Sequence, residues 1–285
     1  MTQRAQARLA ATVLVARDGE GGPEIFMVRR HHKNKFMANA TVFVGGRVDD
    51  ADADASLWGE RSGMSPQQAA ERIGVAGVEQ ARAIYTAAIR ETFEESGVLL
   101  AFDAAGDLVG PEGLAALRDQ LNADEVPHFG ALLGDARFAA FSELRYLARW
   151  VTPEIEPRRY DTYFFVCRMP PEQTASYDQR ETTAGDWYRP EELLAANARK
   201  EVLLAPPTLS VLEDLAGSRD VAELLGRASD APTAPVMPRP WMSASAKALT
   251  LLMPDDHRYN DPNSSSGREH YAVLQDGYWQ RIRNG

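Results

Sequence analysis

The stretch RETFEESGVLL, residues 90–100, holds three glutamates, Glu91, Glu94 and Glu95, within about one helical turn, and Gly97 ends the run. Upstream, Val78, Tyr85, Ile89 and Phe93 recur at spacings of seven, four and four. That is the apolar stripe of a helix over about 78–96, with Gly97 suited to the position that closes it. At about 100° per residue the three acids share a face opposite the stripe, so the stripe buries while the acids point away. A solvated face is the ordinary reading of such a pattern. Two penalties count against it here. Like charges three and four residues apart repel by roughly 0.2–0.5 kcal/mol per pair. Negative charge in a last turn also opposes the helix dipole by roughly 0.3–1 kcal/mol each. A divalent cation reverses both, because carboxylates converging from one turn supply the hard oxygen ligands that suit Mg²⁺ or Mn²⁺ rather than zinc.

Composition narrows the classes. The 285 residues are 44% hydrophobic and 25% charged, the profile of a soluble globular protein long enough for one large domain with additions. No apolar run approaches the roughly 18 residues that cross a membrane, and the N-terminal segment alternates like a strand rather than a signal peptide. The single cysteine, Cys167, excludes an internal disulfide, and a cytoplasmic address is the simplest expectation. A net charge of −10 argues against nucleic acid as a partner, while a small anionic ligand would need a bridging cation or a local basic patch.

Outward from the acidic turn, LAATVLVARD (9–18) and PEIFMVRR (23–30) read as a hairpin, and TVFVGG (41–46) as a strand running into a glycine pair. HHKNKFMANA (31–40) is a basic loop. Residues 47–78 read as an insertion with one helix at SPQQAAERIG. VLLAFDAAG restarts as a strand and turn, and residues 111–145 read as mostly helical, PEGLAALRDQLNAD and LLGDARFAAFSEL included. LRYLARWVTP and YDTYFFVCRMP read as strands, DWYRPEELLAAN as a strand end entering a helix, and PPTLSVLEDLAG and DVAELLGRAS as helices. DAPTAPVMPRP (230–240) is the clearest linker. Beyond it, AKALTLLMP and YAVLQDGYWQRI read as two strands of a C-terminal β extension over 241–285, either an added sheet edge or a homodimer contact.

At this point the chain resembles a known family. RETFEESGV matches the second half of the Nudix box, G-x5-E-x7-R-E-U-x-E-E-x-G-U with U aliphatic, and VFVGG resembles the strand that carries the box glycine, here Gly46. Thr92 stands at a position that is usually aliphatic. Residues 47–89 separate Gly46 from Arg90, about 30 more than the pattern allows. Asp52 keeps the spacing of the box's first glutamate counted from Gly46, whereas counting back from Arg90 lands on Arg82; both readings stand. A split box resembles the peroxisomal coenzyme A diphosphatase-like branch and its bacterial relatives, as do FMANATVFVGGRVDDAD (36–52) and RWVTPEIEPRRYDTYFFVCRMP (149–170).

The resemblance implies an α/β fold, an α/β/α sandwich with a mixed sheet, over a Nudix domain of residues 1–229. Its helices at 111–145 would cap the cleft. It implies hydrolysis of a nucleoside diphosphate linked to another group, coenzyme A or an acyl-CoA foremost, giving 3′,5′-ADP and a phosphopantetheine product. ADP-ribose, NADH or a nucleotide sugar is the enzymatic alternative, and a non-catalytic nucleotide-binding regulator the other. Glu91, Glu94, Glu95 and the Gly46 carbonyl would hold Mg²⁺ or Mn²⁺, with Glu91 or the later Glu181 as base and Arg90 orienting the glutamates. Glu154 and Glu156 are rivals for Glu181. Arg29, Arg30, Lys33 and Lys35 form a basic cluster suited to substrate phosphates, balanced against a solvated loop, and Arg158 and Arg159 are a second pair. The paired His31 and His32 are not expected to hold zinc. Cys167, Trp187 and Phe43 read as core.

Overall fold

A computed structural model describes residues 5–33, 37–229, 231–241 and 248–284. The strands of its main sheet are β1 (Arg8–Gly19), β2 (Gly22–Arg30), β3 (Thr41–Val42) and β4 (Val44–Arg47). The helices α1 (Pro66–Ile73) and α2 (Val78–Ser96) follow, then β5 (Ala101–Phe102), α3 (Leu114–Asn122), α4 (Phe129–Leu133) and β6 (Phe138–Ala139). β7 (Arg145–Val151), β8 (Tyr160–Arg168) and β9 (Thr182–Tyr188) complete the sheet, and α5 (Pro190–Ala198), α6 (Pro206–Leu215) and α7 (Val221–Ala228) lie beyond it. The chain closes with β10 (Arg239–Trp241), β11 (Thr250–Leu252), β12 (Glu269–Gln275) and β13 (Tyr278–Asn284).

The seven-stranded sheet runs β3-β2-β1-β8-β7, with β4 also on β1 and β9 on β2. β1 and β8 are parallel over Arg8–Ala16, and the other pairs are antiparallel, so the sheet is mixed. Strand alternation then sorts side chains to two cores. Ala11, Val13, Val15, Phe26, Val28, Tyr163, Phe165 and Cys167 face α2. Leu14, Ala16, Ile25, Met27, Phe164 and Val166 face α5, α6, α7 and the C-terminal sheet. An α/β/α sandwich results, as the resemblance implied.

Two expected elements ahead of the C-terminal extension differ. TVFVGG is two strands: Thr41–Val42 pairs with β2, Val44–Arg47 with β1, and the chain changes partner at Phe43. LLGDARFAAFSEL is mostly not helical. Gly134, at φ 61° and ψ −155°, stops α4 in a conformation that suits glycine, and Phe138–Ala139 pair with Ala101–Phe102. The insertion is a series of 3₁₀ turns over 50–62 and then α1, whose Ser65 and Gln68 form a capping box.

The C-terminal extension is a four-stranded sheet, β10-β11-β12-β13. YAVLQDGYWQRI is a hairpin rather than one strand. Asp276 and Gly277 both take positive φ, 51° and 85°, between the paired Gln275 and Tyr278, the two-residue turn that an Asp-Gly pair favours. Leu251, Met253, Ala272 and Trp279 join the second core. The segment read as a linker is tied down: Val236 exchanges backbone hydrogen bonds with Arg149 (2.7 Å) and Val151 (2.9 Å), and Arg239 already belongs to β10.

Candidate active site

The acids of α2 point away from its apolar stripe, yet Glu95 is buried and Glu91 and Glu94 are mostly covered. Helix α2 is buried over most of its length, and its polar face meets β4 and the turn at 49–52. Thr92 fits an aliphatic position because its hydroxyl donates to the Ala88 carbonyl at 2.7 Å. Gly97 closes the helix at φ 72°.

Arg90 organises the cluster. Its Nε and Nη2 grip the two oxygens of Asp52 at 2.8 Å each, Nη2 also donates to the Arg47 carbonyl at 2.9 Å, and Nη1 donates to Glu91 at 2.9 Å and Glu94 at 3.1 Å. All five N–H donors of the guanidinium have acceptors. Asp52 is 2% exposed and takes a further hydrogen bond from the Asp49 N–H. Of the two residues left open by the spacing, Asp52 is therefore the one joined to Arg90; Arg82 makes no hydrogen bond to it.

Both glycines of the preceding strand are required by what lies against them. A Cβ on Gly46 would stand 2.4 Å from the Glu91 carboxyl carbon. Gly45 takes φ 148°, and a Cβ there would stand 2.3 Å from the Ala11 carbonyl oxygen. The Gly45 N–H donates to Glu95 at 2.8 Å. Burial pushes the Glu91 carboxyl up to about 7, against the opposing pull of Arg90. Burial, then the neighbouring Glu91 charge, holds Glu95 well above the usual carboxylate range. Burial also raises Glu94. Two buried carboxylates, one raised by the charge of the other, beside a glycine pair are hard oxygen donors, which fits a divalent cation. Glu94, like Glu91, also accepts from Arg90 Nη1, and among the described residues no three His, Cys, Asp or Glu side chains converge as a ready metal cluster.

The structure divides the other candidates. Glu181, just before β9, lies near enough to Glu95 to raise it, and its carbonyl accepts from the His31 N–H at 3.0 Å. Arg30 acts on Glu95 in the opposite sense, and its Nε is buried with no hydrogen-bond partner. Arg29, one residue earlier on the strand, lines a cleft with Met27, Asp186 and Tyr278 on the far side of the sheet. Lys33 is exposed in the basic loop, and Lys35 lies outside the described residues. Arg158 and Arg159 line a cleft with Arg8, Arg47 and the first turn of α2, Gly77 to Gln80. That turn is about 20 Å along the helix from the glutamates. Arg159 is committed to the Thr152 and Ala5 carbonyls at 3.0 and 2.9 Å. Glu154 and Glu156 lie between β7 and β8. Cys167 is buried in β8, Trp187 packs edge-on against Phe26, and Phe43 packs edge-on against Phe164.

Sequence reasoning passed over Arg118, Gln173 and Asp178. Arg118, on α3, donates to the Glu94 carbonyl at 2.9 Å. Gln173 bonds Leu99 N–H, Leu99 carbonyl and Val109 carbonyl at 2.9–3.0 Å. Asp178 accepts from the Arg180, Glu181 and Thr182 N–H groups at 3.0–3.2 Å. The only signal for these was their place in segments flanking the box.

The chain is similar to known proteins in sequence and in fold. Residues 78–215 match the family model described as the NUDT19 Nudix domain. The acyl-coenzyme A diphosphatase NUDT19 of Xenopus laevis is 27% identical over 70% of this chain and 62% of its own, so the chain spans less than two thirds of that relative. The human protein of the same name is 26% identical over 84% of this chain and 72% of its own. A crystal structure of a NUDIX hydrolase from Alicyclobacillus acidocaldarius superposes with a TM-score of 0.65 and 25% identity, covering 80% of this chain and 99% of that one. With the Arg90–Asp52 pair, the acidic turn on the Gly45–Gly46 strand and the mixed sheet, the chain is similar to Nudix hydrolases and, among them, to the coenzyme A diphosphatase branch.

Proposed function

We propose that this protein hydrolyses the diphosphate of a nucleoside diphosphate derivative with the help of Mg²⁺ or Mn²⁺, and that coenzyme A or an acyl-CoA is its substrate. The observation that carries the reading is the packing of Glu91 and Glu95 on a strand whose two glycines leave no side chain between carboxylates and backbone. Nudix hydrolases generally use divalent metals. Glu91, Glu94, Glu95 and the Gly46 carbonyl would hold the cation, which when bound neutralises phosphoryl charge and makes water more acidic. Arg90 keeps Glu91 and Glu94 oriented and cancels part of their repulsion. Glu181 and Glu91 are the acceptors at hand for the proton of an attacking water, both beside Glu95. Arg30 is the cation of the basic cluster that reaches this end of α2 and would bind a substrate phosphate there. Arg158 faces a separate cleft with Arg8 and Arg47, suited to a more distant anionic group of a long substrate.

The names of the frog and human relatives support acyl-CoA among diphosphate substrates. The test is product analysis by mass spectrometry after incubation with Mg²⁺ or Mn²⁺ and a panel of coenzyme A, acyl-CoAs, ADP-ribose, NADH and nucleotide sugars. The expected outcome is 3′,5′-ADP and a phosphopantetheine product from the coenzyme A members, lost in Glu95→Gln. No product from any member ends the enzymatic reading; product from ADP-ribose alone ends the coenzyme A assignment.

A further inference from the structure

We propose that Arg118, on α3, is a positioning residue for the reaction, tethering the segment that presents Glu181 to the acidic end of α2. The inference rests on the diphosphatase reading above and adds how its parts are held together.

Three pieces of chain meet at this guanidinium. Nε donates to the carbonyl of Glu94 at 2.9 Å, on the last turn of the acidic helix. Nη1 donates to the Ser176 hydroxyl at 2.9 Å, in the segment that leads to β9. The side chain itself comes from α3, so one residue joins helix, cap and segment. Other bonds follow the same line: the Ser176 N–H donates to the Ser96 carbonyl at 2.9 Å, and Arg180 donates to the carbonyl of Asn122 at the end of α3. Asp178 then collects the N–H groups of Arg180, Glu181 and Thr182, which shapes the turn bearing Glu181.

A cation over the last carbonyls of a helix also stabilises it through the dipole, and a lysine would serve that purpose alone. Two features exceed it. The forked guanidinium serves two segments at once, which a single ammonium on a flexible stem does not reproduce. Nη2 is buried with no hydrogen-bond partner, a costly state for a mere cap. Gly97 lies directly beneath: a Cβ there would stand 3.1 Å from Arg118 Nη1, and at φ 72° the position already favours glycine. β2 holds Glu181 on one side, through the His31 N–H on its carbonyl and the Arg30–Thr182 pairing, and the lateral bonds to α3 and the end of α2 hold the segment on the other.

The test compares wild type, Arg118→Ala and Arg118→Lys in two assays on the full chain. The first is steady-state hydrolysis of an acyl-CoA with saturating Mg²⁺. Misplacing a reacting group by about 1 Å costs on the order of 100-fold in rate. The expected result is a kcat lowered about 10- to 100-fold in Arg118→Ala with KM within about threefold, and no rescue by Arg118→Lys even though thermal stability recovers. The second needs no substrate: amide hydrogen exchange over 176–182 rises at least about tenfold in both variants while α2 keeps its protection. Wild-type inactivity would defeat the diphosphatase reading and leave the exchange result to decide the tether. Unchanged exchange at 176–182, or full kcat in Arg118→Lys, overturns the positioning role.

Discussion

Removing Arg90 tests how much of the acidic turn depends on one guanidinium. Its side chain is 11% exposed and that of its partner Asp52 2%. Arg90→Met deletes both 2.8 Å bonds to Asp52, the bond to the Arg47 carbonyl and the contacts with Glu91 and Glu94. Asp52 is then a buried charge supported by the Asp49 N–H, and Glu91 and Glu94 face each other three residues apart without a cation. Breaking a buried pair by removing one partner costs about 3–5 kcal/mol, mostly from the charge left behind. Asp52→Asn should cost less, about 1–3 kcal/mol, because Arg90 keeps its other acceptors. In the double variant no buried aspartate charge is stranded, so its cost should fall short of the sum by about 1–3 kcal/mol. Urea unfolding of the four proteins, metal-free at fixed pH, gives the cycle directly, provided the m-values agree. Additivity within about 0.5 kcal/mol would falsify the claim that Asp52 and Arg90 form one unit.

Gly46→Ala drives a methyl onto the Glu91 carboxyl and should cut turnover at least about 100-fold while shifting stability far less, read by kinetics beside thermal melting; near-normal turnover refutes the close packing. The Glu91 carboxyl, raised to about 7, makes the metal-free fold bind a proton that the unfolded chain releases near 4.5. Its contribution is therefore intact below 4.5 and falls by about 3 kcal/mol as pH rises through 7, and Mn²⁺ should recover much of it; pH-dependent melting with and without the cation checks this. In the C-terminal sheet, Arg258 and the His270 N–H hold Asp256 down to about 2, despite its burial. That group adds stability above 3.8 that is lost as pH falls through 2, about 2 kcal/mol in all, and Asp256→Asn should remove this acid dependence from tryptophan-monitored unfolding. Gly277→Ala forces φ 85° on an alanine and should cost about 1 kcal/mol by the same method; no loss would argue against the turn.

The local signals were reliable where one periodicity dominates. The α2 stripe, the alternation in β1, β2 and β8, and the glycine that ends α2 are written in nearest-neighbour chemistry, and the helix ran from Val78 to Ser96 as its spacing required. They failed where pairing partners decide. Phe138–Ala139 are strand because Ala101–Phe102 lie beside them, and the Asp276–Gly277 hairpin was hidden inside a run that reads as one strand. The Asp-Gly pair was legible and its turn signal outweighed by the flanking apolar residues.

By itself, then, the sequence determined the identity of the charged set: an arginine, three glutamates and a glycine pair, with a spacing that strained the expected motif. It could not choose between Asp52 and Arg82, because an insertion breaks the count from either end. Only tertiary structure returned Asp52 to Arg90 across the 37 residues between them, separated Arg30 from Arg29 onto opposite faces of β2, and brought Arg118 and Glu181 to the same helix end. The physical reason is one of range. Helix and strand periodicity follow from bonds between residues a few positions apart, whereas a buried guanidinium finds acceptors wherever the folded chain supplies them.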